Sequence, residues 1–98
     1  MTKLKDLKEI LEQKNASLVV GYKNGEIKEY YNDRIIDIKN ILNKNSKALE
    51  GAIVADKVIG KVVASLLAVA GVKEIYADVI SEFAIPVLVE RRYKIRIF

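Results

Sequence analysis

Residues 49–72, LEGAIVADKVIGKVVASLLAVAGV, decide how the rest of the chain must be arranged. The apolar run from Gly51 to Ala55 reads as a short buried strand. From Asp56 the pattern predicts a largely apolar helix to about Ala70, with Gly71 placed to end it in the left-handed region. A helix so poor in polar residues must sit inside a protein, and the neighbouring elements then have to pack against it.

Downstream, residues 73–80 (KEIYADVI) predict a second strand, and Ser81-Glu82 open a further helix to about Arg91. Pro86 argues against strand continuation there, and early in a helix it is tolerated. Residues 94–98 alternate charged and apolar positions as a short last strand. Upstream, Asn24-Gly25 joins two β-rich runs and predicts a hairpin with a type I′ turn. The first run, residues 17–22, is nearly all apolar and belongs in the sheet interior. The second, residues 26–31, sets Ile27 among charges and suits an exposed edge, where Lys28 and Glu29 discourage edge-to-edge pairing. Asn32-Asp33 can cap a helix whose apolar stripe is Ile35, Ile38, Ile41 and Leu42. At the N-terminus, Leu4, Leu7, Ile10 and Leu11 recur at helical spacing, with Thr2 as the expected N-cap and Asn15 as the stop.

The expected order is α-β-β-α-β-α-β-α-β. A hairpin followed by strand–helix alternation predicts a three-layer α/β/α sandwich with a mixed sheet. Right-handed crossovers would make the strands flanking the Asp56 and Glu82 helices parallel neighbours. With 98 residues, the chain is expected to form a single domain over residues 1–98.

Hydrophobic residues make up 51% and charged residues 31%, the balance of a soluble globular protein. The net charge of +4 permits an anionic partner without requiring one. There is no cysteine and no histidine, which excludes disulfides, thiolate nucleophiles, imidazole bases and sulfur or imidazole metal ligands. No cofactor and no metal are expected. The charged amphipathic N-terminus is unlike a signal peptide, and the uncharged stretch from Val62 to Val72 falls short of the roughly 20 residues of a membrane span. A cytoplasmic location without a membrane partner is the expectation.

Asp56, Lys57, Lys61, Ser81 and Glu82 form the candidate ligand-binding group. In the expected arrangement two helices start at the carboxyl ends of adjacent parallel strands, the edge favoured by ligands of open α/β sheets. Lys57 and Lys61 would lie one turn apart on a helix face continued by Ser65, with Gly60 between them at a cost of about 1 kcal/mol against alanine. The bland alternative makes Asp56 an N-cap, the lysines a solvent stripe and Ser81-Glu82 an ordinary helix start. Gly60-Lys61 is no P-loop: Ala55 stands where the first glycine belongs, and Val62 follows the lysine instead of Ser or Thr. Asp56, Asp78 and Glu82 could meet as a hard-cation site, although nothing in their spacing requires it. The tail from Arg91 to Phe98 mixes bases with aromatics, as a weak RNA surface or a protected edge strand would.

Gly51-Ala-Ile-Val-Ala-Asp-Lys-Val-Ile-Gly-Lys-Val-Val-Ala and Gly71-Val-Lys-Glu-Ile-Tyr-Ala-Asp-Val-Ile-Ser-Glu-Phe-Ala resemble domain of unknown function 1893, a family of small prokaryotic proteins. With the hairpin, the likeness runs from about Ser17 to Tyr93. It implies a cytidine deaminase-like fold. Deaminases open the corresponding helices with His-x-Glu and Pro-Cys-x-x-Cys, which hold zinc and move protons. Here Val54-Ala55-Asp56 and Ser81-Glu82-Phe83-Ala84-Ile85 stand in those places. All zinc ligands are missing, so zinc-dependent deamination is excluded by composition. The resemblance also implies relatives that continue past the last strand with a segment able to form a pocket wall.

The resulting expectation is a non-catalytic deaminase-like domain that binds a nucleoside, nucleotide or other small anion at the Asp56/Ser81 edge. The rivals are an RNA- or protein-binding module using the basic tail, and a zinc-independent enzyme with Asp56, Lys57 and Glu82 as acid–base groups. Pairing of edge strands at Glu26 or Lys94 would give a homo-oligomer.

Overall fold

The computed structural model describes residues 3–93, with all their side chains except that of Arg34. In chain order the elements are α1 (Leu4–Lys14), β1 (Leu18–Gly21), β2 (Ile27–Tyr30), α2 (Arg34–Lys44), β3 (Ile53–Ile59), α3 (Lys61–Ala70), β4 (Glu74–Ile80) and α4 (Ile85–Glu90). The sheet order is β2-β1-β3-β4. β1 runs antiparallel to both β2 and β3, whereas β3 and β4 are parallel, so the sheet is mixed. The expected last strand, the Thr2 cap and the Lys94 edge lie outside the described residues.

β3 is the element whose extent departs most from expectation. The strand continues through Asp56 and Lys57 to Ile59, and α3 starts only at Lys61. Val58-Ile59 supplies the reason, because β-branched side chains are stiff in helices and pack well on a pleated surface. Gly60 then breaks the strand and serves as the N-cap in extended conformation, φ −94° and ψ 179°. Asp56 is therefore not a helix cap, Lys57 and Lys61 do not share a helix face, and Gly60 is not inside a helix.

Two smaller corrections concern turns. Only Gly25 in the hairpin loop has a positive φ, +95°, so the turn is not type I′. The Gly25 N–H bonds to Tyr22 O, and the Tyr22 N–H to Glu26 O, which makes a three-residue loop closed by a glycine bulge. Ser81-Glu82 does not open a helix either: residues 81–84 form a turn, and α4 begins at Ile85 with Pro86 in its first turn.

Both faces of the sheet are covered. Leu7 and Leu11 of α1 are fully buried against Val19, Ile53, Ala55 and Tyr76. On the other face, Ile38 of α2, Val63, Ala64 and Leu67 of α3, and Leu88 of α4 pack over Leu18, Val20, Val54 and Ile75. Caps fix the helix ends. Asn15 closes α1 at φ 52°, the Asp33 carboxylate accepts the Ile35 N–H at 2.8 Å to start α2, and Gly71 ends α3 at φ 80°. β1 is buried at every position, and β2 is the exposed edge expected of it.

Glycine substitutions separate the two roles. Gly71→Ala forces a left-handed alanine and should cost about 1–2 kcal/mol in urea denaturation. A side chain at Gly60 meets nothing within 4 Å, so Gly60→Ala should change stability by only a few tenths, on the unfavourable side. A gain of about 1 kcal/mol there would instead signal a helix interior.

The Tyr76 hydroxyl donates to Asp78 Oδ1 at 2.5 Å, and the residue is 2% exposed. Burial first, and the Asp78 bond second, push its pKa from 10.0 up to about 12. The folded chain holds this proton more tightly, so the stabilisation is complete below pH 10.0 and is lost as pH rises through about 12. Alkaline unfolding curves of the wild type should fall more steeply across that window than those of Tyr76→Phe. Equal slopes would contradict the assignment.

Candidate functional site

The five residues singled out in the sequence do not converge. Asp56 lies within β3, opposite Leu18 and Ala77, with no exposed surface. Its Oδ1 accepts a long bond from the Val58 N–H, 3.4 Å. Alternation turns Lys57 to the other face, where its ammonium group donates to Asn15 Oδ1 at the end of α1. Both are withdrawn from the strand end, Asp56 by three residues or about 10 Å of strand.

Lys61, Ser81 and Glu82 do stand at the carboxyl edge of the parallel pair. Lys61 is the exposed first residue of α3, and its carbonyl accepts the Ser65 hydroxyl at 2.9 Å. The Ser81 N–H bonds to Ile59 O at 2.9 Å and so ties the two strand ends together. Its Oγ accepts the Phe83 N–H at 3.2 Å, and Glu82 is exposed in the same turn.

The start of α3 gives this edge its chemistry. Gly60 provides no side-chain cap, and the first intrahelical bond runs from the Ala64 N–H to Gly60 O. The amides of Lys61, Val62 and Val63 therefore have no acceptor within the helix, and they add to the positive end of its dipole. The Lys61 ammonium contributes a full charge beside them. Val62 and Phe83, 54% and 67% exposed, give the same edge an apolar rim. An anionic group with a flat apolar portion is the chemistry these groups can hold.

A second constellation lies away from that edge, where α2 crosses the hairpin. Tyr22 and Tyr30 share one hairpin face, and their hydroxyls meet at 2.7 Å. Burial, reinforced by the Tyr30 bond, raises the Tyr22 pKa. With Asp37 and Asn40 of α2 these rings line a cleft of about 430 Å³. Asp37 is 6% exposed, and its Oδ2 has no hydrogen-bond partner among the described residues.

This cleft was not singled out in the sequence. One sign was available, since Asp37 stands four residues before Ile41 and thus falls on the apolar stripe of α2. The meeting of Tyr22 and Tyr30 depends on the hairpin register, which the three-residue loop sets. Among the described residues no group of three or more carboxylates could hold a metal ion, so Asp56, Asp78 and Glu82 do not form a cation site. No described helix is long and apolar enough to cross a membrane.

No functionally curated protein matches the chain. A crystal structure of a DUF1893 family protein from Thermotoga maritima, at 2.70 Å resolution, is similar to it, with 29% sequence identity and a TM-score of 0.81. The match covers 96% of this chain and 63% of that one, so this chain spans less than two thirds of that relative's length. The profile described as "Domain of unknown function (DUF1893)" matches residues 6–96. With nearly its whole length inside that match, the chain belongs to the DUF1893 family.

Proposed function

We propose that this is a non-catalytic binding domain with a cytidine deaminase-like three-layer sandwich, holding a nucleotide or related phosphate-bearing ligand where α3 begins. Helices on both faces of a mixed sheet, and a parallel β3-α3-β4 unit after an antiparallel hairpin, support the fold part of this reading. A single domain and a cytoplasmic location belong to the same proposal.

The observation that carries the ligand class is the uncapped start of α3 at Gly60-Lys61, beside Ser81. Ligands of α/β sheets gather at the carboxyl ends of parallel strands, and helix amides there donate to phosphate oxygens. The exposed ring of Phe83 offers a surface of the kind on which bases stack. Binding without chemistry fits the residues better than catalysis. With no histidine or cysteine in the chain, zinc-bound hydroxide has no ligand set of the deaminase type. Asp56 and Lys57, the carboxylate and amine of the enzymatic alternative, point to opposite faces of β3.

Differential scanning fluorimetry with inorganic phosphate and nucleoside mono- and diphosphates tests the reading. A ligand at a hundred times its Kd adds about 2.7 kcal/mol and raises the melting temperature by several degrees. Gly60→Asp should place a carboxylate over the free amides, raise the unliganded melting temperature slightly and abolish the response. Phe83→Ala should reduce the advantage of nucleotides over phosphate. No response from any member of the panel, or an undiminished response in Gly60→Asp, would overturn the proposal.

A further inference from the structure

The cleft between α2 and the hairpin carries an unmet set of hydrogen-bonding demands independent of the α3 edge. Asp37 is more than nine-tenths buried, and one carboxylate oxygen has no donor among the described residues. Leaving such a group without a partner is destabilising, and native proteins retain such groups where something else satisfies them. The terminal torsion of aspartate is broad and nearly two-fold, so a half-turn of the carboxylate exchanges the positions of its two oxygens.

The tyrosine pair makes the complementary demand. Two phenols bring two hydroxyl hydrogens, and the 2.7 Å bond between Tyr22 and Tyr30 uses one of them. The other is available to an acceptor in the cleft. Asn40, also in the wall, can both donate and accept.

The charges around the cleft have the same duality. Lys28 and Glu26 lie 3.5 Å apart as an exposed ion pair. That leaves Asp37 and Lys44, both of which line the cleft, as a separated negative and positive group. Lys44 makes no ion pair among the described residues. It follows Asp37 by seven residues, two turns and about 10.5 Å along the helix axis. Helical side chains lean toward the N-terminus, so the lysine's own length closes part of that gap. A zwitterion carries the two charges complementary to this pair. A volume of about 430 Å³ accommodates such a molecule.

We infer that the cleft formed by Tyr22, Tyr30, Asp37, Asn40 and Lys44 binds a small zwitterion. Its ammonium or guanidinium group meets Asp37, and its carboxylate meets Lys44 and the tyrosine pair. No covalent step is involved.

Two-dimensional amide NMR with γ-aminobutyrate, and with butylamine and butyrate as its two halves, provides the test. The zwitterion should give saturable shifts at Tyr22, Tyr30, Asp37 and Asn40, and each half should bind about tenfold or more weakly. Asp37→Asn keeps the shape and removes the charge. It should weaken binding by about tenfold to a hundredfold, the range expected for a lost charge-assisted bond. The same variant should melt at or above the wild-type temperature, because a carboxylate kept for a ligand costs stability in its absence. Lys44→Gln, at an exposed position, should weaken the zwitterion and leave butylamine unchanged. The inference is overturned by no saturable shift, by equal binding to Asp37→Asn, or by butyrate binding as tightly as the zwitterion. It is also overturned if Asp37→Asn melts lower, which would make the carboxylate a support of the fold.

Discussion

Everything in this structure hangs on the backbone pairing of β3. It is bonded to β1 in antiparallel register on one side and to β4 in parallel register on the other. Its side chains reach the core on both faces, Val54 under α2 and α3, and Ile53 and Ala55 under α1. A strand committed on two edges and two faces cannot slip by one residue without turning every apolar side chain to the wrong layer. Its length also sets where α3 starts, and hence where free helix amides lie relative to the Ser81 turn.

Buried carboxylates are the unusual feature of this core, and the two are held differently. Asp56 sits among apolar residues in the middle of the sheet, at a register position fixed by Leu18 and Ala77. Asp37 lies at the wall of an open cleft. Aspartate is rarely fully buried unless paired. The α3 edge and the hairpin cleft also differ in character: one is an exposed helix end with an apolar rim, the other a pocket lined by hydroxyl, amide and charged groups.

Most elements were legible in the sequence because their signals are local. The stripe of Leu7 and Leu11, the Asp33 cap, the stop at Asn15, the left-handed Gly71, and the alternating pattern around Ile27 each required only a few neighbouring residues. The passage from β3 to α3 was misplaced for a physical reason. An apolar strand buried on both faces has no alternation, and Val58-Ile59-Gly60 fits the end of a strand as well as the interior of a buried helix. Asp56 looked like a cap because aspartate usually is one, and only pairing with β1 and β4 overrides that local preference. The candidate group lost Asp56 and Lys57 through this single shift, while Lys61, Ser81 and Glu82 kept their place. Of the hairpin cleft only Asp37 on the apolar stripe of α2 was legible, since the rest depends on a loop geometry and a helix crossing that no short window contains. The family likeness was readable from Ala55-Asp56-Lys57 through Gly60-Lys61 and from Ile80-Ser81-Glu82, and the match over residues 6–96 bears it out.

The extent of β3 is therefore the central claim, and backbone chemical shifts test it most directly. The Cα and Cβ shifts of Asp56, Lys57, Val58 and Ile59 should be those of an extended strand, with slowly exchanging amides where they pair with β4. Helical shifts should begin at Lys61. Helical shifts starting at Asp56 would contradict the account, because they would return Lys57 and Lys61 to one helix face and give the amides of Lys61, Val62 and Val63 acceptors within the helix.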